Sequence, residues 1–242
     1  MEKQQKITVS MTRQEQFWAF AYLAFQTLLL PSLLQAVLTI LSVAYSDAAL
    51  NLTFFAVNFV AAAAIFHRFL KESLQELPKK LWPCVWKAAL ALLGCKLTVH
   101  LLNILLQTLW PEYFDMTAFG PALRNPNDMH IAQMVSQQFW LMALGTVFLV
   151  PPVEELLHRG AVFGMLWEKN KVLAWLVSVA LFSGIHILGY LQLGDSLLLF
   201  LCFLQYIPPA IALCWLYTST GSIFAPILMH MAYNAIGILF VR

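Results

Sequence analysis

The part of the sequence best suited to chemistry lies inside one of its most apolar stretches. Residues 148–160 read FLVPPVEELLHRG and place Glu154, Glu155 and Arg159 within one short segment. A charged side chain at the centre of a bilayer costs about 2.5–3.5 kcal/mol on insertion scales, so three of them facing lipid would cost of order 8 kcal/mol. We therefore expect these side chains to face the interior of a helical bundle or a water-filled cavity, where they form a candidate site.

Helical spacing predicts different surroundings for the two glutamates. With about 100° per residue, Glu155 and Arg159 lie about 40° apart and can form an ion pair, whereas Glu154 lies about 140° from Arg159. Glu154 is therefore predicted to keep the freer carboxylate, and an unpaired carboxylate in a dry cavity suits a general base or acid. The alternative is a buried ion pair that only holds helices together.

Two prolines and a histidine flank these residues. Pro151 and Pro152 can begin a helix but cannot continue one, so they predict a break in the span. The glutamates would then lie in a new first turn, where backbone N–H groups favour anions. His158 lies about 40° from Glu154 on the same stripe. We expect it to pack or to extend toward the cytoplasmic face, and a role as ligand or proton partner is the alternative.

Two further polar pairs occur in later apolar stretches. Phe182-Ser-Gly-Ile-His186 and His230-Met-Ala-Tyr-Asn234 each place two side chains four residues apart, on one face of a helix. Asparagine in a membrane helix needs a polar partner. Three separate stretches thus present polar faces at similar depth, and we expect those faces to converge. For His186 alone, a local hydrogen bond to a neighbour is the alternative.

The other histidines and the cysteines are expected to be incidental. His100 could serve as polar glue between helices, and His67 and His130 lie in polar connecting stretches. The four cysteines lie in apolar stretches without a CxxC pair, so they are predicted to be small hydrophobic residues rather than metal or redox groups. They are Cys84, Cys95, Cys202 and Cys214.

The composition of the whole chain indicates an integral membrane protein. Its 242 residues are 61% hydrophobic and only 11% charged, whereas soluble domains carry about 25% charged residues. An apolar chain of this kind is predicted to be helical, because helices satisfy their own backbone hydrogen bonds in lipid. The net charge of +2 is too small to suggest a nucleic-acid partner.

Windows of about 20 apolar residues predict about seven spans in one all-α, polytopic transmembrane bundle. The chain is predicted to form a single membrane domain, residues 1–242. Within it, 1–138 hold N-terminal spans and an interfacial helix, and 139–242 hold the core with the candidate site. The predicted spans are 17–43, 48–66, 84–109, 139–166, 171–190, 196–218 and 221–241.

Loop charges predict how the bundle lies in the cell membrane. Lys3, Lys6 and Arg13, the stretch 67–87 and the turn near 169 are basic and fall on one side if the spans alternate. The positive-inside rule then places the N-terminus in the cytoplasm and Arg242 outside.

The N-terminal half carries three further signals. Residues 67–82 mix leucines with lysines and predict an interfacial helix, with a solvated loop as the alternative. Thr12-x-x-Glu15 predicts a capping box at the start of the first span. The apolar run after Arg13 is too long for a cleavable signal peptide, so none is expected.

Taken together in this order, the three motifs resemble the CAAX-protease and bacteriocin-processing family of intramembrane endopeptidases, also called Abi or CPBP. The resemblance covers residues 140–240, and residues 1–138 match it only in being hydrophobic. The motifs in this chain are Glu154-Glu155-Leu-Leu-His-Arg159, Phe182-Ser-Gly-Ile-His186 and His230-Met-Ala-Tyr-Asn234.

The resemblance implies a helical bundle with a conical cavity that opens to the cytosol and the membrane, and hydrolysis of a peptide bond in a peptide or membrane-protein substrate. By this analogy Glu154 and His186 position and activate a water molecule. His230 and Asn234 would stabilise the oxyanion of the tetrahedral intermediate. The chain is similar to prokaryotic members, and no residue in it points to prenylated substrates.

Glu155 and Arg159 are implied to shape the site or to contact the substrate. The family is commonly called a metalloprotease, and Glu154, His186 and His230 could hold zinc with an open position. The chain lacks HExxH, the helical motif that supplies two zinc ligands. We expect catalysis by a glutamate-activated water without a metal, and the zinc alternative stays open at this point.

Three other functions fit parts of the pattern. A non-catalytic immunity or scaffold protein could share the fold, although the motif set is complete. A transporter could also carry broken helices with carboxylates, but the chain shows no inverted repeat and no second acidic span. A serine protease that uses Ser183 and a histidine is the most remote alternative.

Overall fold

The structure is a computed structural model that describes residues 7–240. Lys3, Lys6 and Arg242, which entered the orientation argument, lie outside these described residues. The rest of the chain folds into a helical bundle with one short antiparallel hairpin. The predicted all-α, polytopic class is confirmed.

Nine helices account for most of the described residues. Two short 3₁₀ turns, Pro111–Tyr113 and Leu191–Leu193, lie between them. In chain order the helices are α1 (Arg13–Leu28), α2 (Leu30–Ile40), α3 (Asp47–Ile65), α4 (His67–Leu109), α5 (Pro126–Gln137), α6 (Phe139–Trp167), α7 (Lys171–Leu188), α8 (Ser196–Thr220) and α9 (Phe224–Phe240).

The number of spans differs from the predicted seven. Five of the described helices, α3, α4, α6, α7 and α8, are long and apolar enough to cross a membrane. The predicted span 17–43 is instead the pair α1 and α2, bent by 55°, which could count as a sixth. Pro31 lies at the start of α2, where its ring cannot continue the preceding helix. The predicted last span, α9, is apolar but has only 17 residues.

The capping box predicted at Thr12 is confirmed. The Thr12 hydroxyl accepts a hydrogen bond from the Glu15 backbone N–H, and the Glu15 carboxylate accepts one from the Thr12 backbone N–H. The same carboxylate accepts hydrogen bonds from the Arg68 guanidinium and the Phe69 backbone N–H at the start of α4. Glu15 therefore both caps the N-terminus of α1 and links α1 to α4 through hydrogen bonds.

The helix α4 corrects the prediction of a separate interfacial helix. Residues 67–82 are helical, but they continue without a break into the apolar part of a 43-residue helix. At 1.5 Å per residue such a helix is about 65 Å long, roughly twice the hydrocarbon thickness of a bilayer. Much of α4 therefore extends beyond the membrane. There Lys80 and Lys87 donate to the carbonyls of Gly221 and Ser219, at the C-terminal end of α8.

The connection from α4 to α6 contains the hairpin and α5. Strands β1 (Phe114–Thr117) and β2 (Gly120–Leu123) pair antiparallel. Gly120 has φ +102°, and a Cβ built there would lie 2.9 Å from the His100 ring. The sequence suggested that His100 could link two helices. In the structure its ring packs against the hairpin instead.

Helix α6 carries the glutamates, and it is not broken by its prolines. Pro151 and Pro152 begin an α-helical segment, Val150–Glu155, that lies between two π-helical segments, Leu144–Leu149 and Leu156–Phe163. Hydrogen bonds in a π-helical turn span five residues instead of four. This shift before the prolines means that the helix continues without the N–H groups that the two prolines lack. The predicted new first turn is therefore wrong, and the glutamates lie inside one continuous helix.

This helix forms the centre of the bundle. Half of the residues in its apolar window are buried, more than in the other candidate spans. It contacts α1, α3, α7, α8 and α9. Close packing is visible at Gly160, where an added Cβ would lie 2.5 Å from the Met11 side chain. The four cysteines are buried and free, as predicted for small hydrophobic residues.

Candidate active site

A buried ion pair lies between α6 and its neighbours. The Arg159 Nη1 atom is 3.1 Å from Glu155 Oε1, and both side chains are fully buried. Arg159 Nη2 donates to the Ala210 carbonyl of α8 at 3.2 Å, and the guanidinium carbon lies 4.3 Å from the centroid of the Phe182 ring on α7. The pairing is the one that the four-residue spacing predicts, and it links three helices.

His230 of α9 joins this ion pair to the second glutamate. Its Nδ1 atom lies 2.8 Å from Glu155 Oε1. A carboxylate oxygen accepts, so Nδ1 carries the proton of this hydrogen bond. The other ring nitrogen, Nε2, lies 3.9 Å from Glu154 Oε2. Glu155 therefore fixes the orientation of an imidazole that faces Glu154.

Glu154 has the free carboxylate that the spacing predicts. Its side chain is 24% exposed, and its Oε2 atom is buried without a hydrogen-bond partner among the described residues. The distance of 3.9 Å to His230 Nε2 is too long for a direct hydrogen bond. A water oxygen about 2.8 Å from each of the two atoms fits that separation.

Glu154 lines a cavity of about 770 Å³ together with His158 and His186. The wall is mixed: apolar side chains of α2, α3 and α6 alternate with amides, hydroxyls and imidazoles. Such a cavity is large enough for a peptide segment or a lipid chain. The free carboxylate is thus accessible from a space that can hold a substrate.

His158 packs inside the bundle, the first of the two positions expected for it, and does not extend outward. Its side chain is buried, and Nδ1 donates to the Glu154 backbone carbonyl, 2.8 Å away, one turn earlier. The ring edge packs against Phe182 at 5.5 Å between centroids. Its Nε2 atom has no hydrogen-bond partner in the described part of the chain. His158 is therefore a wall residue of the cavity.

His186 lies on the same face of α7 as Phe182, as predicted. Its Nδ1 atom is 2.7 Å from the Phe182 carbonyl, and the two rings lie 4.6 Å apart. A carbonyl only accepts, so Nδ1 is the donor and Nε2 of the neutral ring has a free lone pair. Glu154 and His186 share the cavity wall, but within the described residues the ion-pair contact of Glu154 is with His230.

Asn234 follows His230 by one turn of α9. Its Nδ2 atom donates to the Thr146 carbonyl of α6 at 2.9 Å, inside the π-helical segment Leu144–Leu149. Asn234 also lines a small void of about 50 Å³ next to His186 and His230. The amide nitrogen carries a second N–H, which remains for another acceptor.

Several residues of the site were missed from the sequence. Phe182 appeared only as an apolar motif partner, yet its ring contacts His158, Arg159, His186 and His230. Tyr206, on α8, stacks on His186. A polar pair, Gln205-Tyr206, just before Pro208-Pro209 in an apolar helix, was the signal that could have found it.

The first turns of α5 also contribute to the cavity. Asn127 and His130 line it, although His130 was expected to be incidental. Asp128 accepts a hydrogen bond from the Tyr206 hydroxyl at 3.5 Å. This connecting segment therefore forms part of the polar surroundings of His186.

The residues suggested for zinc do not fit a metal site in this arrangement. No group of three or more His, Cys, Asp or Glu side chains within residues 7–240 is placed to hold a metal ion. His230 Nδ1 bonds Glu155 and His186 Nδ1 bonds a backbone carbonyl, an arrangement that leaves Nε2 of both rings free, so the misfit lies in the placement of the three side chains and not in their hydrogen bonds. Glu154, His186 and His230 share a region but do not converge on one point.

Comparison with known proteins bears on the family that this chain resembles. No curated protein and no solved structure matches the chain. Residues 136–236 match the family model described as Type II CAAX prenyl endopeptidase Rce1-like. This segment contains all six predicted site residues, and the family is one of membrane proteases. Over residues 136–236, the chain is therefore similar to the Rce1-like family of type II CAAX prenyl endopeptidases.

Proposed function

We propose that this protein is an intramembrane endopeptidase in which Glu154 activates a water molecule to hydrolyse a peptide bond. One observation carries the proposal: a Glu154 oxygen that has no hydrogen-bond partner within residues 7–240 lies 3.9 Å from His230 Nε2, in a side chain that lines a cavity of about 770 Å³. The substrate is a peptide or a membrane protein that reaches this cavity. The proposed reaction involves no metal-bound step.

The first half of the reaction is the attack of water. A water molecule between Glu154 and His230 transfers a proton to the Glu154 carboxylate as its oxygen bonds to the carbonyl carbon of the peptide. His186 Nε2, with a free lone pair, borders the same cavity and orients the water. The product of this step is a tetrahedral intermediate with a negatively charged oxygen.

The second half is stabilisation and collapse of that intermediate. The second N–H of Asn234 donates to the oxyanion. His230, whose Nδ1 is held by Glu155, presents Nε2 toward Glu154 beside this oxyanion. The C–N bond then breaks, and the proton held by Glu154 passes to the leaving amine.

Glu155 and Arg159 act on this chemistry through His230. Glu155 fixes the Nδ1 side of the imidazole, and Arg159 balances the charge of Glu155. Lipid is the surrounding partner of the whole bundle. The basic stretch 67–87 and Lys169 favour a cell-membrane orientation with the N-terminus in the cytoplasm.

Mass spectrometry of cells that carry the wild type or Glu154→Gln tests the proposal. We expect specific membrane or secreted peptides to appear only with the wild type. Glu168→Gln is the matched control, since Glu168 is an exposed residue just after the last turn of α6, and it should leave the peptide pattern unchanged. A Glu154→Gln variant with the wild-type phenotype and peptide pattern would support a scaffold or immunity protein instead.

A second assay addresses the transporter alternative. Purified protein in liposomes is offered model peptides, and both cleavage and flux are measured. We expect cleavage by the wild type and none by Glu154→Gln. Solute flux without cleavage of any peptide would contradict the hydrolase and support a carrier.

A further inference from the structure

Two aromatic rings hold the imidazole of His186. Phe182, one turn earlier on α7, lies 4.6 Å from it between ring centroids. Tyr206 comes from a different helix, α8, and its ring centroid lies 4.4 Å from that of the imidazole, with the two ring planes tilted by 30°. Stacking at this distance is favourable and directional. The plane of His186 is therefore set by a partner that neither its own helix nor the hydrolytic residues supply.

The hydroxyl of Tyr206 is held by three hydrogen bonds. The oxygen accepts hydrogen bonds from the Asn125 and Asn127 amides at 3.1 Å each, and it donates to Asp128 at 3.5 Å. Asn125 is buried and also donates to Gln205 at 3.0 Å. Three side chains at the start of α5 thus fix one end of the tyrosine, and a connected network of this kind restrains each of its members.

His186 needs such restraint because its own anchor is incomplete. The hydrogen bond from Nδ1 to the Phe182 carbonyl fixes one atom but still permits the ring to swing about that bond. The direction of Nε2 decides whether its lone pair reaches a water in the cavity. A misplacement of about 1 Å in a catalytic group can cost about 10²-fold in rate.

We propose that Tyr206 is a positioning residue for His186, held in place by Asn125, Asn127 and Asp128. This inference rests on the proposed function, because it assigns His186 the orientation of the reacting water. Tyr206 acts through the imidazole and does not touch the peptide bond. We therefore expect the start of α5, although far in sequence from the motifs, to contribute to the rate of hydrolysis.

Two substitutions of Tyr206 separate stacking from packing. Tyr206→Phe and Tyr206→Leu both remove the hydroxyl, but only the first keeps an aromatic ring against His186. We expect kcat to fall about 10²-fold in Tyr206→Leu and about tenfold or less in Tyr206→Phe, with KM nearly unchanged in both. The measurement is peptide hydrolysis by purified protein, with the thermal midpoint recorded for each variant.

Tyr113→Phe is the matched control. Tyr113 is a partly buried tyrosine whose hydroxyl donates to Asp195 at 3.4 Å, and it is not among the residues that line the cavity, so this variant loses the same kind of hydroxyl away from His186. We expect its kcat to stay near the wild-type value. Because KM and the thermal midpoint are also measured, a general loss of folded protein is recognised as such.

The outcomes for the two proposals differ. Equal kcat values for Tyr206→Phe and Tyr206→Leu would overturn the stacking role, and so would wild-type kcat in Tyr206→Leu. Both results leave the proposed function intact as long as Glu154→Gln is inactive. Full activity of Glu154→Gln would overturn the proposed function itself.

Discussion

The two sides of helix α6 place adjacent glutamates in different environments. On the buried side, Glu155 and Arg159 are fully shielded from solvent and paired at 3.1 Å. On the cavity side, Glu154 is 24% exposed, and its carboxylate lies 3.9 Å from His230 Nε2, too far for a direct hydrogen bond. Oε2 of each glutamate lacks a hydrogen-bond partner among the described residues, so the difference lies in exposure and ion pairing. The residue type is the same and the positions are consecutive, so the side of the helix alone accounts for the difference.

The buried side of α6 therefore stabilises the fold, whereas the cavity side is suited to catalysis. A charge without water must be paired, because leaving it alone costs several kcal/mol. A carboxylate on a cavity wall can remain unpaired and react. His230 connects the two sides, with Nδ1 toward Glu155 and Nε2 toward Glu154. Changes on the cavity side are therefore expected to alter rate, and changes on the buried side to alter stability first.

The largest effect is expected for Glu154→Gln. Gln has nearly the same shape but cannot accept the proton of the attacking water, so kcat should fall about 10²–10⁴-fold. The thermal midpoint should stay near the wild-type value, since no partner loses a hydrogen bond. Peptide hydrolysis and thermal unfolding of the purified protein check both statements. A large drop in the midpoint would show that Glu154 belongs to the supporting side.

Glu155→Gln is expected to act mainly on stability. It leaves the buried Arg159 charge without its counter-ion, which should cost about 3–5 kcal/mol of unfolding free energy. Activity should fall as well, because His230 loses its orienting carboxylate. Thermal unfolding measures the first effect. A variant as stable as the wild type would contradict the division between the two sides of α6.

Asn234→Ala is expected to have a smaller effect on rate. It removes one donor to the oxyanion, which should lower kcat about 10²-fold, the lower end of the range for a single oxyanion donor. The lost hydrogen bond to the Thr146 carbonyl should cost about 1 kcal/mol of stability. Asn234→Asp is an informative companion, since it keeps the size but removes the amide donor. Wild-type kcat in both variants would exclude the donor role.

Removal of metal is expected to have little effect on activity. Glu154, His186 and His230 are not placed to hold one metal ion, since no group of three or more such side chains among the described residues is. Purified protein dialysed against a strong chelator should retain its hydrolytic activity. Inactivation by the chelator, followed by recovery with added zinc, would contradict the metal-free proposal.

Ser183→Ala is expected to have the smallest effect. The Ser183 hydroxyl is buried and has no hydrogen-bond partner among the described residues. A nucleophilic serine needs a base within hydrogen-bond reach. We expect kcat within about twofold of the wild type, as for a substitution away from functional features. Loss of all cleavage would revive the serine-protease alternative.

Much of the candidate site followed from local spacing. The i to i+4 geometry of a helix paired Glu155 with Arg159 and left Glu154 free, and it placed Phe182 and His186 on one face. These relations depend on one helix each, so the sequence contains all the information they need. The predicted proline break in α6 failed because a π-helical turn absorbed the missing N–H groups, and no residue pattern announces that adjustment.

The sequence by itself determined the class of protein, the helices and the polar residues that cannot face lipid, because hydropathy and helical period act locally. Only the tertiary structure decided that His230 bonds Glu155 rather than a solvent molecule, that Tyr206 and the start of α5 reach His186, and that Glu154 meets His230. Each of these contacts joins separate helices. Their rotation and depth result from packing across the whole bundle, which no single segment specifies.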